Sequence, residues 1–165
     1  MPFTPLHMGA GILVKAVLRQ RFSLVVFGAS RIAIDIQPLL VMLTGKGELH
    51  GFSHTVLGAA FIALFCGWVG KPVGEFFLRL MRESEHLPIS WRVSFLSAFV
   101  GTYSHIGIDS IMHSDLMPFL PFSPASPWHG IISIEALHGL CVLGAVVGGL
   151  VYGLMGRKSK KIPNS

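Results

Sequence analysis

SHIGIDSIMHSD, residues 104–115, closes an apolar run that begins at Trp91. His105, Asp109 and His113 recur every four residues, so a helix through this segment carries all three on one face. The run 91–112 is long enough to cross a hydrocarbon core, which takes about 20 residues. Two imidazoles and a carboxylate are costly in such a helix, so the stripe has to face protein, water or an ion.

The rest of the chain has the same apolar character. Of its 165 residues, 52% are hydrophobic and 13% charged, against about a quarter charged in ordinary soluble proteins. Mean hydropathy is +0.64. The net charge of +5 does not indicate a nucleic-acid partner, because the basic residues punctuate apolar runs and form no polar face. Cys66 and Cys141 lie in different apolar segments and read as small core residues. The N-terminal MPFTPLHMGAG has no basic n-region, so no removable signal peptide is expected.

These features predict an all-α integral membrane bundle. Four spans fall at about 23–43, 52–70, 91–112 and 131–155. A shorter apolar helix at 5–18 reaches only about 20 Å and inserts part-way. GEFFLRLMRE, 74–83, has the pattern of an amphipathic helix lying on the membrane surface. Residues 1–156 form one membrane domain, followed by a basic tail at 157–165. Lys15, Arg19, Arg21, Lys71, Arg79, Arg82, Arg92, Arg157, Lys158, Lys160 and Lys161 fall on one side of this topology, against Lys46 alone on the other. The positive-inside rule makes the C-terminus and the 71–91 loop cytoplasmic. Gly144, Gly148, Gly149 and Gly153 give the last span a small-residue spacing suited to close helix packing or to oligomerisation.

The ionisable groups gather toward the opposite, outer surface. At about 1.5 Å per residue, Asp35 falls about 12 Å, His105 about 10 Å, Asp109 about 5 Å, Glu135 about 6 Å and His138 about 10 Å below it. His50 and His113 lie at that surface and His54 one turn further in. His7 approaches the same layer if the first helix inserts. Neutral imidazole and carboxylate are the ligands of zinc, manganese and iron. His50/His54 and His105/Asp109 have the i, i+4 spacing that holds one ion between helical turns. Glu135/His138 has the Glu-x-x-His spacing of two-metal helical bundles. Each group also has a plainer role open to it. Arg31 and Asp35 fit an internal ion pair, and Glu135 fits a helix cap. His86, Asp115 and His129 read as loop residues, solvated or, for His129 beside Trp128, interfacial. The proline-rich loop 116–130 forms either a lip over the site or a simple interfacial loop.

At TPLH (His7), IDIQP (Asp35), HGFSHT (His50 and His54), HIGIDSIMH and MPFLPFS, the chain resembles a bacterial inner-membrane family of metal-dependent hydrolases. That family is broadly similar to zinc-dependent phospholipase C and P1-type nucleases. The resemblance runs from His7 to about Ser123 and implies metal ligation by His7, Asp35, His50, His54, His105 and Asp109, in the bacterial inner membrane. The chain departs from the family pattern at Gln37, where many members carry a second acid, and at Gly51, where many carry arginine. Arg31, one turn below Asp35, is then the candidate phosphate contact. His113 stands where many members carry threonine, so its role rests on spacing.

The function expected is hydrolysis of a phosphoester, with a lipid headgroup suggested by the depth of the site. Two or three divalent ions, zinc first and manganese or iron as alternatives, would bind phosphoryl oxygens and acidify a water. Asp35 or Asp109 would bridge ions or accept the proton. The alternatives are a metal or proton carrier, which needs polar groups continuing to the cytoplasmic side, and a structural membrane protein with satisfied interior histidines.

Overall fold

The computed structural model describes residues 8–159, with side chains as far as Met155. Every regular element among them is helical. Six α-helices follow in order: α1 (Met8–Leu18), α2 (Leu24–Ile34), α3 (Ile36–Thr44), α4 (Val56–Leu80), α5 (Trp91–Met112) and α6 (Ile134–Ser159). Helices α2, α4 and α5 pack on one another, while α1 lies along α6 and touches α2.

The bundle is polar within and apolar without. Ser30, Ser94, Ser97, Thr102 and Ser110 are fully buried, while Phe61, Phe65, Trp68, Phe76, Leu143, Leu150 and Leu154 lie outward on α4 and α6. Water penalises that distribution and lipid favours it, because small hydroxyl residues let helices approach and satisfy backbone groups internally. Ser94 Oγ donates to the Gly67 carbonyl at 2.6 Å, and Ser97 Oγ accepts from the Ser23 N–H at 2.8 Å. At Gly101 a Cβ would stand 2.0 Å from Ser30 Oγ, so glycine sets how closely α5 approaches α2.

Three segments are long and apolar enough to cross a membrane: Leu24–Thr44, Val56–Leu80 and Ile134–Met155. The fourth expected span, α5, has the length at 22 residues but falls short in apolarity. Ser94, Ser97, Thr102, His105, Asp109 and Ser110 on it are buried. A helix enclosed by protein does not need the hydropathy of one that faces lipid.

The structure corrects several sequence boundaries. The first span is two helices, α2 and α3, broken at Asp35, whose N–H bonds Ile32 O instead of continuing the α ladder. The surface helix expected at 74–83 does not exist separately, because α4 runs on to Leu80 through Pro72. The cost of the proline, one lost N–H and a ring clash, is offset by a lock at that end. Glu75 is buried and bonds Lys71, Arg79 (3.2 Å) and the backbone N–H of Ile89 (3.1 Å). Four-residue charge pairs of this kind support a helix, and the Ile89 bond ties the α4–α5 connection to it. His86 in that connection is half-buried rather than solvated. Its Nδ1 lies 3.2 Å from Gln20 Oε1, and Tyr152 OH lies 3.4 Å from its Nε2. Burial holds its pKa below the ordinary imidazole value.

Of Gly144, Gly148, Gly149 and Gly153 on α6, the first two seat α1. A Cβ on Gly148 would meet Leu13 Cα and N at 2.7 Å, and one on Gly144 would touch the Gly9 carbonyl at 3.5 Å; Gly149 and Gly153 have open space. The expected outcome is therefore opposite for two neighbouring substitutions. Gly148→Ala should destabilise by about 1–3 kcal/mol, because the clash is with backbone. Gly149→Ala should be neutral or gain up to about 1 kcal/mol from helix propensity. Unfolding titrations in mixed micelles measure both, and equal effects would contradict the α1–α6 packing.

Candidate metal centre

Three different backbone contexts deliver the site. Asp35 sits at the break between α2 and α3, which turns its carboxylate inward instead of along a helix face. His54 ends a short 3-10 turn, Phe52–His54, ahead of α4. His105 and Asp109 lie one turn apart on α5, as their spacing requires. All four are buried, with exposures of 4%, 1%, 3% and 6%. One donor atom from each lies within 4.8 Å of all the others.

The separations fit ligands around an ion. His105 Nε2 is 3.2 Å from both Asp35 Oδ1 and Asp109 Oδ2, and His54 Nε2 is 3.8 Å from the same two oxygens. Donors bound tetrahedrally at about 2.0–2.2 Å stand about 3.3–3.6 Å apart. His54 Nδ1 lies 2.9 Å from Ser53 Oγ, and His54 Nε2 makes no hydrogen bond among the described residues. That leaves Nε2 as the ring's ligating atom. Two carboxylates held this close in a buried site repel one another, and a divalent cation offsets that repulsion.

A second donor group adjoins the first through Asp109: His50, Asp109 and His113. The imidazoles of His50 and His113 stand 4.4 Å apart and those of His50 and His54 5.1 Å apart. The expected helical pairing of His50 with His54 is not the reason. Thr55 caps α4 by accepting from the Gly58 N–H at 2.9 Å, so both histidines precede the helix. His113 likewise lies just past the end of α5, in extended backbone, with its N–H bonded to Asp109 O at 2.8 Å. The stripe of His105, Asp109 and His113 is therefore two helical residues and a cap that turns toward His50. Burial and the neighbouring His50 hold His113 below the ordinary imidazole range. Both effects favour the neutral ring, the form that ligates metal ions.

The fold also gives roles around the site to residues that the sequence did not mark as having them. Asp115 accepts from His50 Nδ1 at 2.8 Å. Partial burial raises the Asp115 pKa, but the His50 hydrogen bond and charge outweigh it and hold the carboxylate below its usual range. Such a partner fixes the ring so that Nε2 faces the site. Gln37, where many members of the resembling family carry an acid, accepts from the Ser53 N–H at 2.8 Å and so pins the turn that carries His54. A Cβ on Gly51 would fall 2.0 Å from Gln37 Nε2, so a side chain there would have to displace the Gln37 amide. Ser104 receives a hydrogen bond from Arg31 Nη1 at 2.9 Å. No spacing rule links residues 65 apart such as His50 and Asp115; only the fold joins them.

Other expected site residues stand apart from these groups. Glu135 is exposed in the first turn of α6, where it bonds the cap residue Ser133. Neither Glu135 nor His138 joins a donor group among the described residues. His7 lies outside the described residues. Arg31 is buried, with its guanidinium 5.4 Å from the centre of the Phe27 ring. It feels the charges of Asp109 and Asp35 but does not line the cavity that opens on them. That cavity, about 330 Å³, is lined by Asp35, Pro38, Met42, Leu49, His50, Asp109, His113 and Asp115. A larger one of about 570 Å³ lies toward the other end of the bundle, among Lys15, Phe22, Leu78, His86 and Ile89, away from both donor groups. The loop after α5 is more than a lip. Leu116 is fully buried, and the Pro118 carbonyl accepts from the Val56 N–H at 2.8 Å, closing the first turn of α4.

Comparison with protein-family models, with curated proteins and with solved structures finds no match to this chain.

Proposed function

We propose that this chain is a membrane-embedded, metal-dependent hydrolase of phosphoesters. The observation that carries the reading is the convergence of Asp35, His54, His105 and Asp109, four buried donors from three separate parts of the chain, within 4.8 Å. The resemblance at IDIQP, HGFSHT and HIGIDSIMH supports a hydrolase of the bacterial inner membrane. A bound divalent ion, zinc first among the candidates by its donor set, supplies Lewis acidity toward a phosphoryl oxygen and hydroxide at neutral pH. The chain's own residues do the rest. Asp35 and Asp109 line the cavity and stand where a proton leaving an attacking water can be accepted. His105 Nε2, 3.2 Å from both carboxylates, completes the donor set with them. Arg31 contributes positive potential from behind without touching the substrate.

With α5 counted as the fourth span, the basic segments at 71–92 and 157–161 share one side, which the positive-inside rule makes cytoplasmic. The donor groups then lie toward the outer face, at the level of phospholipid headgroups. The test is elemental analysis of protein purified without chelator, paired with a screen of phospholipid phosphoesters, on the parent and on His54→Ala. The parent should carry stoichiometric transition metal and turn over at least one phosphoester, and the variant should lose both. A metal-free parent with intact histidines would instead favour a structural membrane protein. Metal without turnover, but with cation uptake into proteoliposomes, would favour a carrier.

A further inference from the structure

The cavity of about 570 Å³ at the other end of the bundle has a size typical of small-molecule sites, about 300–1,000 Å³. Residues of α1, α2, α4, α5, α6 and the α4–α5 connection line it. Much of the wall is apolar, from Phe22, Leu24, Leu78, Ile89 and Val93. Two features set it apart from a packing gap. The first is Lys15, which lines it and is only 7% exposed. The Lys15 ammonium donates to the Arg19 and Phe22 carbonyls at 2.9 and 2.8 Å, and no carboxylate pairs with it among the described residues. An ammonium has three protons to give, and a buried cation without a counter-charge is costly. An anionic group in the cavity offsets that cost. The second feature is the order of charge. Glu83 and Glu85 line the same cavity but are exposed, so negative charge lies at its mouth and positive charge within. Half-buried His86 feels Lys15 in one sense and both glutamates in the other. Its hydrogen-bond partners Gln20 and Tyr152 complete the polar part of the wall.

We infer that this cavity binds a phospholipid of the leaflet opposite the metal donors, one whose headgroup carries a phosphodiester and a primary ammonium. Such a lipid presents acyl chain, phosphate and ammonium in that order toward water, and the cavity offers apolar wall, Lys15 and glutamates in the same order. An anionic phospholipid or a fatty acid would satisfy Lys15 and leave Glu83 and Glu85 repelling it. None of the metal donors lines this cavity, so the lipid there is a resident ligand and not a substrate. It ties the α1–α6 pair to the α2, α4 and α5 core, since the wall draws on both. The inference uses the membrane position of the bundle and is independent of the hydrolase reading.

Native mass spectrometry of the full chain in detergent, titrated with phosphatidylethanolamine, phosphatidylglycerol or soluble phosphoethanolamine, tests it. The parent should retain one phosphatidylethanolamine about tenfold more tightly than phosphatidylglycerol. Phosphoethanolamine, which has no acyl chain, should not compete with it. Chelator should leave retention unchanged. Glu83→Gln combined with Glu85→Gln should hold the two lipids within about twofold of one another. Lys15→Met should weaken both lipids by about tenfold or more, the effect of losing a hydrogen bond to a charged group. The glutamates are exposed, so their double variant folds and decides the matter if Lys15→Met does not. That variant should also keep the parent's metal content and turnover. A parent that retains no lipid, or both lipids equally, overturns the inference. So does a preference that survives in the double glutamine variant, or competition by phosphoethanolamine at the lipid's own concentration. Retention lost on chelation would put the lipid at the metal donors, ending this site and leaving the hydrolase standing. Retention as expected without turnover of any phosphoester does the reverse.

Discussion

Asp109→Asn should abolish phosphoester turnover while the protein stays folded in detergent. Asp109 is the one residue common to both donor groups, so its charge is felt at each ion position. Asparagine keeps the volume, and the helix-closing bond from the His113 N–H to the residue 109 carbonyl is backbone and survives. What is lost is the anionic oxygen 3.2 Å from His105 Nε2. Removing a partner that only orients a metal ligand already costs about 10–100-fold, so loss of the shared ligand should exceed a hundredfold in turnover and in metal affinity together. Turnover equal to the parent's would remove Asp109 from the site and with it the assignment of both groups. The metal-free variant should be no less stable than the metal-free parent, because one of two crowded carboxylates has been neutralised.

The second large effect is the dependence of stability on metal. An ion that binds only the folded chain stabilises it by mass action, about 2.7 kcal/mol when free ion exceeds the dissociation constant a hundredfold. The parent's thermal midpoint in detergent should therefore rise steadily with added metal and fall on chelation. Ligating imidazoles must be neutral, so this gain is largest at neutral to mildly alkaline pH and shrinks as the solution is acidified. Asp109→Asn should show a flat response. Glu135→Ala should respond as the parent does, because Glu135 is exposed on α6 and outside both groups. A parent midpoint indifferent to metal and chelator would leave the buried carboxylates without their proposed counter-charge.

Much of this site was legible from spacing. His105 and Asp109 share a face because helical periodicity allows nothing else, and the convergence of α5 with Asp35 and His54 followed from a common depth along the predicted spans. The same rule misplaced His50 and His54, which meet through a turn that Gly51, Thr55 and Gln37 shape and not through a helical repeat. It also overstated Glu135. A Glu-x-x-His spacing puts two residues near one face of a helix, but not necessarily toward the other ligands, and α6 turns its glutamate outward.

The sequence by itself determined the helical class, because apolar runs of this length leave no other way to satisfy the backbone in lipid. It also determined the positions of the long apolar helices to within a few residues at most ends and the chemistry of the donors. The tertiary structure alone decided that the first span breaks at Asp35, that α4 continues through Pro72 against the Glu75 lock, and that Asp115 orients His50 from 65 residues away. The division has a physical reason. Periodicity and hydropathy are properties of one segment and act along it. A coordination sphere depends on which faces and turns of separate segments are pressed together, and that is set by packing among the small residues of α2, α4 and α5.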